Sequence, residues 1–323
     1  MPWVHVFMQN SKGCGWNTSG VNLMDVKDKI RRLLRERKAV LLAHNYQPPE
    51  IQDLADLCGD SLELSIKASR TEAEVIVFCG VHFMAETAAI LSPRKTVLLP
   101  RADAGCPMAD MIEPQSLQAK IASLPPMPVV TYVNSSAAVK ALSTICCTSA
   151  NAVDVVESLD ADAVLMTPDR NLARYTASKS DKKIHVWEGC CPIHDRLNAD
   201  DIRAARRRYP DAVVMVHPEC RMEVIELADV VTSTSGMLRH AASSQRRHFI
   251  VATEVGLLHP LRKANPGKEF YPASEKMICE DMKKIGLEDI ADSLESMTGN
   301  VTVPEEIRRK AFTAVQRMID LSL

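Results

Sequence analysis

Long apolar runs are missing from this 323-residue sequence: nothing approaches the roughly 18 consecutive apolar residues that a membrane helix needs. Nor does a charged segment followed by an apolar one open it, so the reading expects a protein that stays soluble in the cytoplasm, with no membrane partner. Aromatic residues are scarce at 4%, while 15 methionines predict an aliphatic core with Met filling its gaps. An excess of charge is absent too, with 39 Lys and Arg against 41 Asp and Glu. The basic runs Arg31-Arg32, Arg206-Arg207-Arg208 and Arg246-Arg247 fall in helix-like polar stretches and read as solvated faces, so no nucleic-acid partner is expected. With nothing directing export, the 10 cysteines are expected as thiols or metal ligands and not as a disulfide framework.

What is present is an alternation of short apolar runs with charged helix-like segments, the pattern of parallel sheets covered by helices. A repeat of about 85 residues underlies it. Val40-Leu41-Leu42-Ala43 runs into His44-Asn45-Tyr46, Val129-Val130-Thr131 into Tyr132-Val133-Asn134, and Val213-Val214-Met215-Val216 into His217-Pro218-Glu219. Fifteen residues after Tyr46, Asn134 and Glu219 stand Ser61, Ser149 and Thr234, each in a polar cluster suited to opening a helix; Ser233 precedes the last. A second apolar run starts at Val75, Ala163 and Phe249, offsets of 29, 29 and 30. A third starts at Val97, Ile184 and Phe270, and the loops after it carry Cys106, Cys191 and Cys279, offsets of 60, 57 and 60.

The expected fold class is therefore α/β, built as three homologous three-layer αβα domains with small parallel sheets around a pseudo-three-fold axis. Each repeat is read as a strand-helix-strand-helix-strand unit whose carboxyl strand ends face one central site. The expected boundaries are a loose leader at 1–20, repeats at 21–108, 109–192 and 193–284, and terminal helices at 285–323 packing back on the first repeat, with no further strand.

Three thiolates from distant loops form an incomplete tetrahedral set of soft ligands, which suits zinc or an iron-sulfur cluster. Structural zinc is usually closed by a fourth Cys or His in paired Cys-x2-Cys knuckles, which are absent around Cys106, Cys191 and Cys279, so a 4Fe-4S cluster with one open iron fits better. Cys58, Cys79, Cys146, Cys147, Cys190 and Cys220 are read as core thiols, Cys14 receives no reading, and Cys190 competes with its neighbour Cys191. His194, three residues after Cys191, is read as supporting the ligands and substrate. The strand-end groups His44, Tyr46, Tyr132, Asn134, His217 and Glu219 form an acid-base kit, and Ser61, Ser149, Ser233 and Thr234 offer hydroxyls near helix N-termini to phosphate or carboxylate groups. Spacing alone leads to a metal-assisted dehydration or condensation of a small anionic substrate.

Several long stretches carry a resemblance: His44-Asn45-Tyr46-Gln47, Gly59-Asp60-Ser61-Leu62, Phe83-Met84-Ala85-Glu86-Thr87, Ala104-Gly105-Cys106-Pro107-Met108-Ala109-Asp110, Tyr132-Val133-Asn134-Ser135, Cys147-Thr148-Ser149-Ala150-Asn151 and His217-Pro218-Glu219-Cys220. From about residue 25 to about residue 285 the chain resembles the quinolinate synthases. The resemblance implies condensation of iminoaspartate with dihydroxyacetone phosphate to quinolinate, with loss of phosphate and two waters. It places the cluster on Cys106, Cys191 and Cys279, with the open iron as Lewis acid. Glu219 is expected as general base, Tyr46 and His217 as proton carriers, and His44, Tyr132 and Asn134 as orienting groups. A transient contact with the enzyme supplying iminoaspartate is the one macromolecular partner in view. Some relatives carry a Cys-x2-Cys-x2-Cys pattern near the last ligand; Cys279 stands without it, which speaks against a disulfide switch there. Two other readings remain: a non-catalytic three-domain anion binder with structural zinc, and a 4Fe-4S hydro-lyase acting on another small acid.

Overall fold

The computed structural model describes residues 23–322, so the leader expected at 1–20 and Cys14 lie outside the described residues. The apolar runs are strands of three parallel sheets, and the two central strands of each sheet are buried over nearly their whole length. In the first repeat these are β1 (Ala39–His44), β2 (Leu57–Gly59), β3 (Val75–Cys79) and β4 (Thr96–Leu98). The second holds β5 (Val129–Tyr132), β6 (Ile145–Cys147), β7 (Ala163–Thr167) and β8 (Lys183–Val186). The third holds β9 (Val213–Val216), β10 (Val230–Val231), β11 (His248–Ala252) and β12 (Glu269–Pro272). Three four-stranded parallel sheets result, ordered β2-β1-β3-β4, β6-β5-β7-β8 and β10-β9-β11-β12.

The shared order makes the internal repeat a structural fact, and it also corrects the unit expected from the sequence. Each repeat has four strands, not three: β2, β6 and β10 span only two or three residues, too few for any periodicity to register. They exist because the outer edge of the first strand needs hydrogen-bond partners. One device sets their register in all three copies. The side chains of Asp56, Thr144 and Asp229 accept from the N–H groups of Leu41, Val129 and Val214 at 2.7, 3.0 and 2.8 Å. The N–H of the same three residues bonds back to the carbonyls of Leu41, Val129 and Val214 at 2.9 Å each.

One apolar core runs through all three sheets, from Ile30 and Leu41 through Val130 and Val164 to Met215 and Phe249. Separate clusters back the third sheet (Ile202, Val214, Ile250) and the second (Leu117, Val129, Leu165). After the third repeat, helix Leu287–Ser296 packs on helix Leu23–Glu36. Helix Glu305–Asp320 lies in the seam between helix His82–Leu91 of the first repeat and β6 with helix Ala137–Lys140 of the second, where Ile90, Ala137 and Ala311 meet. The tail also carries a short extended piece that the sequence reading missed. Asn300 bridges Leu98 in antiparallel fashion, with Leu99 donating to the Gly299 carbonyl at 2.9 Å and Val301 to the Val97 carbonyl at 2.8 Å, closing the free edge of β4.

Gly299 turns the chain for this contact at φ +83°, where a Cβ would stand 2.3 Å from the Leu99 carbonyl oxygen. Gly299→Ala is expected to cost about 2 kcal/mol or more in urea unfolding, whereas Gly267→Ala, with nothing within 4 Å of its added Cβ, stays within about 0.5 kcal/mol of the parent. Equal stability of the two variants would show that the 299–301 contact does not hold the β4 edge.

Candidate active site

Parallel strands deliver their following residues at the carboxyl edge of each sheet, and the first strands of the three repeats deliver theirs to one cavity. His44 and Tyr46 at the end of β1, Tyr132 and Asn134 at the end of β5, and His217 and Glu219 after β9 all line it. Ser61, Ser149 and Thr234 complete the same wall. Ser61 and Thr234 are the first residues of helices Ser61–Arg70 and Thr234–Ser243, whose caps are the preceding residues: Asp60 accepts from Leu62 and Glu63 N–H at 3.0 Å, and Ser233 accepts from Gly236 N–H at 3.2 Å. Ser233 is therefore absent from the cavity wall; its hydroxyl also donates to Asp60 at 3.3 Å, across the seam between repeats one and three.

Behind this cavity lies a more apolar chamber lined by Cys106, Cys191, Cys279 and His194. The two spaces share the walls Tyr46, Phe83, Asn134, Glu219 and Met282. The three equivalent cysteines thus meet in one place, and Cys190 does not line it. The other cysteines read as core thiols divide by burial: Cys79, Cys146, Cys147 and Cys220 are buried, while Cys58 and Cys190 are half-buried.

Glu219 is the centre of the polar network, 3% exposed. Its Oε2 lies 2.7 Å from His194 Nδ1 and 3.5 Å from His217 Nδ1. Burial works against its charge, yet these neighbours hold it below the ordinary carboxylate range. His194 is the effective partner, being closer, while burial pushes His217 down to about 3 and leaves it neutral. Burial pushes His44 down to about 3 as well. In both rings Nδ1 accepts from the backbone N–H two residues on, Tyr46 at 3.2 Å and Glu219 at 3.4 Å, so the single ring proton sits on Nε2. Burial, reinforced by the Glu219 charge, raises Tyr46 and Tyr132 well above the usual phenol range, keeping both as proton donors.

Sequence reasoning missed Thr253, whose hydroxyl lies 2.6 Å from Tyr46 Oη and 2.8 Å from His194 Nε2 and so ties two repeats together. It missed Asp169 and Glu254 as well, which bond the backbone of the cysteine loops, and the walls Phe83 and Met282. A signal was available: all three missed polar groups lie one or two residues past the second apolar run of their repeat, where β7 and β11 end. Those strands are as parallel as the first ones and point the same way.

The thiols suit a metal-bound group. Burial pushes Cys106 up to about 12 and raises Cys191 and Cys279, so they are protonated without a cation and must release protons to bind one. Cys191, His194 and Glu219 bring donor atoms within 4.8 Å of one another. His194, however, is already held at both nitrogens, Nδ1 by Glu219 with Cys191 Sγ at 3.2 Å, and Nε2 by Thr253. That leaves the thiols as the free donors; of the three buried side-chain oxygens with no partner among the described residues, Glu219 Oε1 and Asn134 Oδ1 belong to residues lining these spaces and Gln47 Oε1 does not.

Such a centre belongs to an α/β enzyme with acid-base groups beside a thiol-rich chamber. The family model described as quinolinate synthetase A protein matches residues 28–320. The quinolinate synthase of Geotalea uraniireducens is 55% identical, over 91% of this chain and 97% of its own length. Quinolinate synthase 1 of Methanosarcina acetivorans is 54% identical over 91% and 97%, and the quinolinate synthase of Desulforudis audaxviator 52% over 92% and 100%. The chain belongs to the quinolinate synthase family, and its function is enzymatic: quinolinate synthesis in NAD formation. No helix among the described residues is long and apolar enough to cross a membrane.

The neutral histidines set a pH dependence that can be measured. A ring held near 3 when folded but near 6.5 when unfolded takes up its proton only on unfolding, so stability is full above 6.5 and falls as pH drops toward 3. Each ring contributes a slope of about 1.4 kcal/mol per pH unit in that window. In metal-free protein unfolded by urea between about pH 6.5 and about pH 4.5, His44→Asn should flatten the curve by that amount; an unchanged slope would mean that His44 is charged in the fold.

Proposed function

We propose that this enzyme condenses iminoaspartate with dihydroxyacetone phosphate, releasing phosphate and two waters, and that Cys106, Cys191 and Cys279 hold a 4Fe-4S cluster with one open iron. When bound, the cluster supplies a Lewis acid toward a substrate hydroxyl or carboxylate. The observation that carries the reading is the pair of partnerless buried oxygens, Glu219 Oε1 and Asn134 Oδ1, in the walls common to the substrate cavity and the thiol chamber. Buried polar atoms are normally satisfied, so these two are kept for a ligand.

Glu219 is the general base: Oε2 is engaged by His194 while Oε1 remains free to take a substrate proton. Tyr46, Tyr132 and His217 return or relay protons, and His44 and Asn134 orient the carbonyl and imine. His194 steadies the Glu219 carboxylate and the Cys191 side of the chamber. The N-termini of helices Ser61–Arg70 and Thr234–Ser243, with the Ser61, Ser149 and Thr234 hydroxyls, receive the phosphate and carboxylates. Ser233 acts on this wall only through its cap. Domains 21–108, 109–192 and 193–284 close over the crevice to keep water from the imine. Because free iminoaspartate hydrolyses readily, its supplier makes transient contact with this enzyme in the cytoplasm.

The grouping of Cys191, His194 and Glu219 favours a second reading, a single zinc ion. Metal analysis separates the two. Anaerobically reconstituted protein should be brown, with iron and acid-labile sulfide, and Cys106→Ser, Cys191→Ser and Cys279→Ser should each lower iron content at least tenfold while Cys79→Ser keeps it. Colourless protein carrying zinc, lost on His194→Ala, would establish the second reading instead.

For the base, Glu219→Gln keeps shape and cluster and should lower kcat a hundred-fold or more. Quinolinate formed at the parent rate would move the base role to Tyr46 or His217.

A further inference from the structure

Outside the reacting groups, two buried carboxylates recur at equivalent places. Asp169 stands two residues past β7 and Glu254 two residues past β11. In each, one oxygen caps the helix that follows: Asp169 Oδ1 accepts from Leu172 N–H at 2.7 Å, and Glu254 Oε2 from Gly256 N–H at 2.7 Å. The other oxygen reaches across to a cysteine loop. Asp169 Oδ2 accepts from Cys191 N–H at 2.9 Å, and Glu254 Oε1 from Cys279 N–H at 3.3 Å. Their exposures are 2% and 0%.

A cap needs no carboxylate. Ser or Asn serves as well, and Ser233 and Asn198 do so elsewhere in this chain. Burying a charge costs several kcal/mol unless its oxygens are bonded, and Asp169 has no cationic partner among the ion pairs of the described residues. What a carboxylate adds over Ser is the second oxygen, and in both repeats that oxygen fixes a cysteine backbone; at Glu254 it also pairs with Lys283 Nζ at 3.0 Å, so Asp169 is the case in which the loop bond stands alone. The first repeat has Val81 at the equivalent position, an apolar wall of the thiol chamber with no such bond to make.

We infer that Asp169 and Glu254 are positioning residues for the metal group, each locking the backbone of one ligand loop so that the Cys191 and Cys279 thiols stand ready beside the less restrained Cys106. The inference rests on the assignment of these cysteines as ligands. Groups that orient ligands without touching the metal typically contribute 10–100-fold in metal affinity.

Asp169→Ser and Glu254→Ser are the test, because a serine hydroxyl keeps the cap but falls short of the cysteine loop. Two measurements are made on each. In reconstituted protein, chelator-driven iron loss should be at least tenfold faster than in the parent. In metal-free protein, alkylation by iodoacetamide, read site by site by mass spectrometry, should accelerate at Cys191 alone in Asp169→Ser and at Cys279 alone in Glu254→Ser, with Cys106 unchanged. A purely structural role would speed all three thiols together, and that result overturns the inference. So does parent-like iron retention in both variants. If the parent itself takes up no iron and sulfide, the ligand assignment fails, and the site-selective alkylation still decides whether the two carboxylates hold their loops.

Discussion

The centre of this molecule depends on keeping one carboxylate charged out of water, where three domains meet. Glu219 is buried, and an isolated buried carboxylate would cost several kcal/mol. His194 at 2.7 Å offsets that cost through one side of the group. His194 is held in turn by Thr253, which also bonds the Tyr46 hydroxyl, so residues from the first and third repeats are fixed by the need to solvate one charge. The second oxygen stays without a partner, which is the difference between a structural ion pair and a reactive one.

Repetition and divergence divide the work. The three repeats share strand order and the register device of Asp56, Thr144 and Asp229, so their carboxyl strand ends arrive at one place with one backbone geometry. The side chains at those ends differ: His44 and Tyr46, Tyr132 and Asn134, His217 and Glu219. Equivalent backbone positions thereby present donor, acceptor and base to a single cavity. The same divergence holds one strand further on, where Val81, Asp169 and Glu254 occupy matching positions, and only the last two hold a cysteine loop.

Packing confines this chemistry. Apolar walls such as Phe83 and Met282 border both spaces, and burial keeps the thiols protonated and His44 and His217 neutral. A cation entering the chamber must displace protons, so metal binding and proton release are linked. The closing helix Glu305–Asp320 spans the first two repeats and Leu287–Ser296 braces the helix before β1, which sets the domains in place without adding a group to the site.

The sequence by itself determined the class of fold, the long strands and the equivalence of the three cysteines, because buried parallel strands are apolar throughout and a repeat keeps its offsets. It also determined the six strand-end groups and the family, since motifs such as His217-Pro218-Glu219-Cys220 survive as contiguous stretches. The short strands β2, β6 and β10 were beyond it, because two or three residues carry no period and form only when a neighbouring edge needs partners. So was the difference between Ser233, which caps a helix, and Thr234 beside it, which faces the cavity. Only the tertiary structure decided that Thr253 joins Tyr46 to His194, that His194 is occupied at both nitrogens, and that Asp169 and Glu254 hold cysteine loops 22 and 25 residues away. Hydrogen bonds between distant segments depend on ångström placement across domains, and no spacing along one chain encodes that distance.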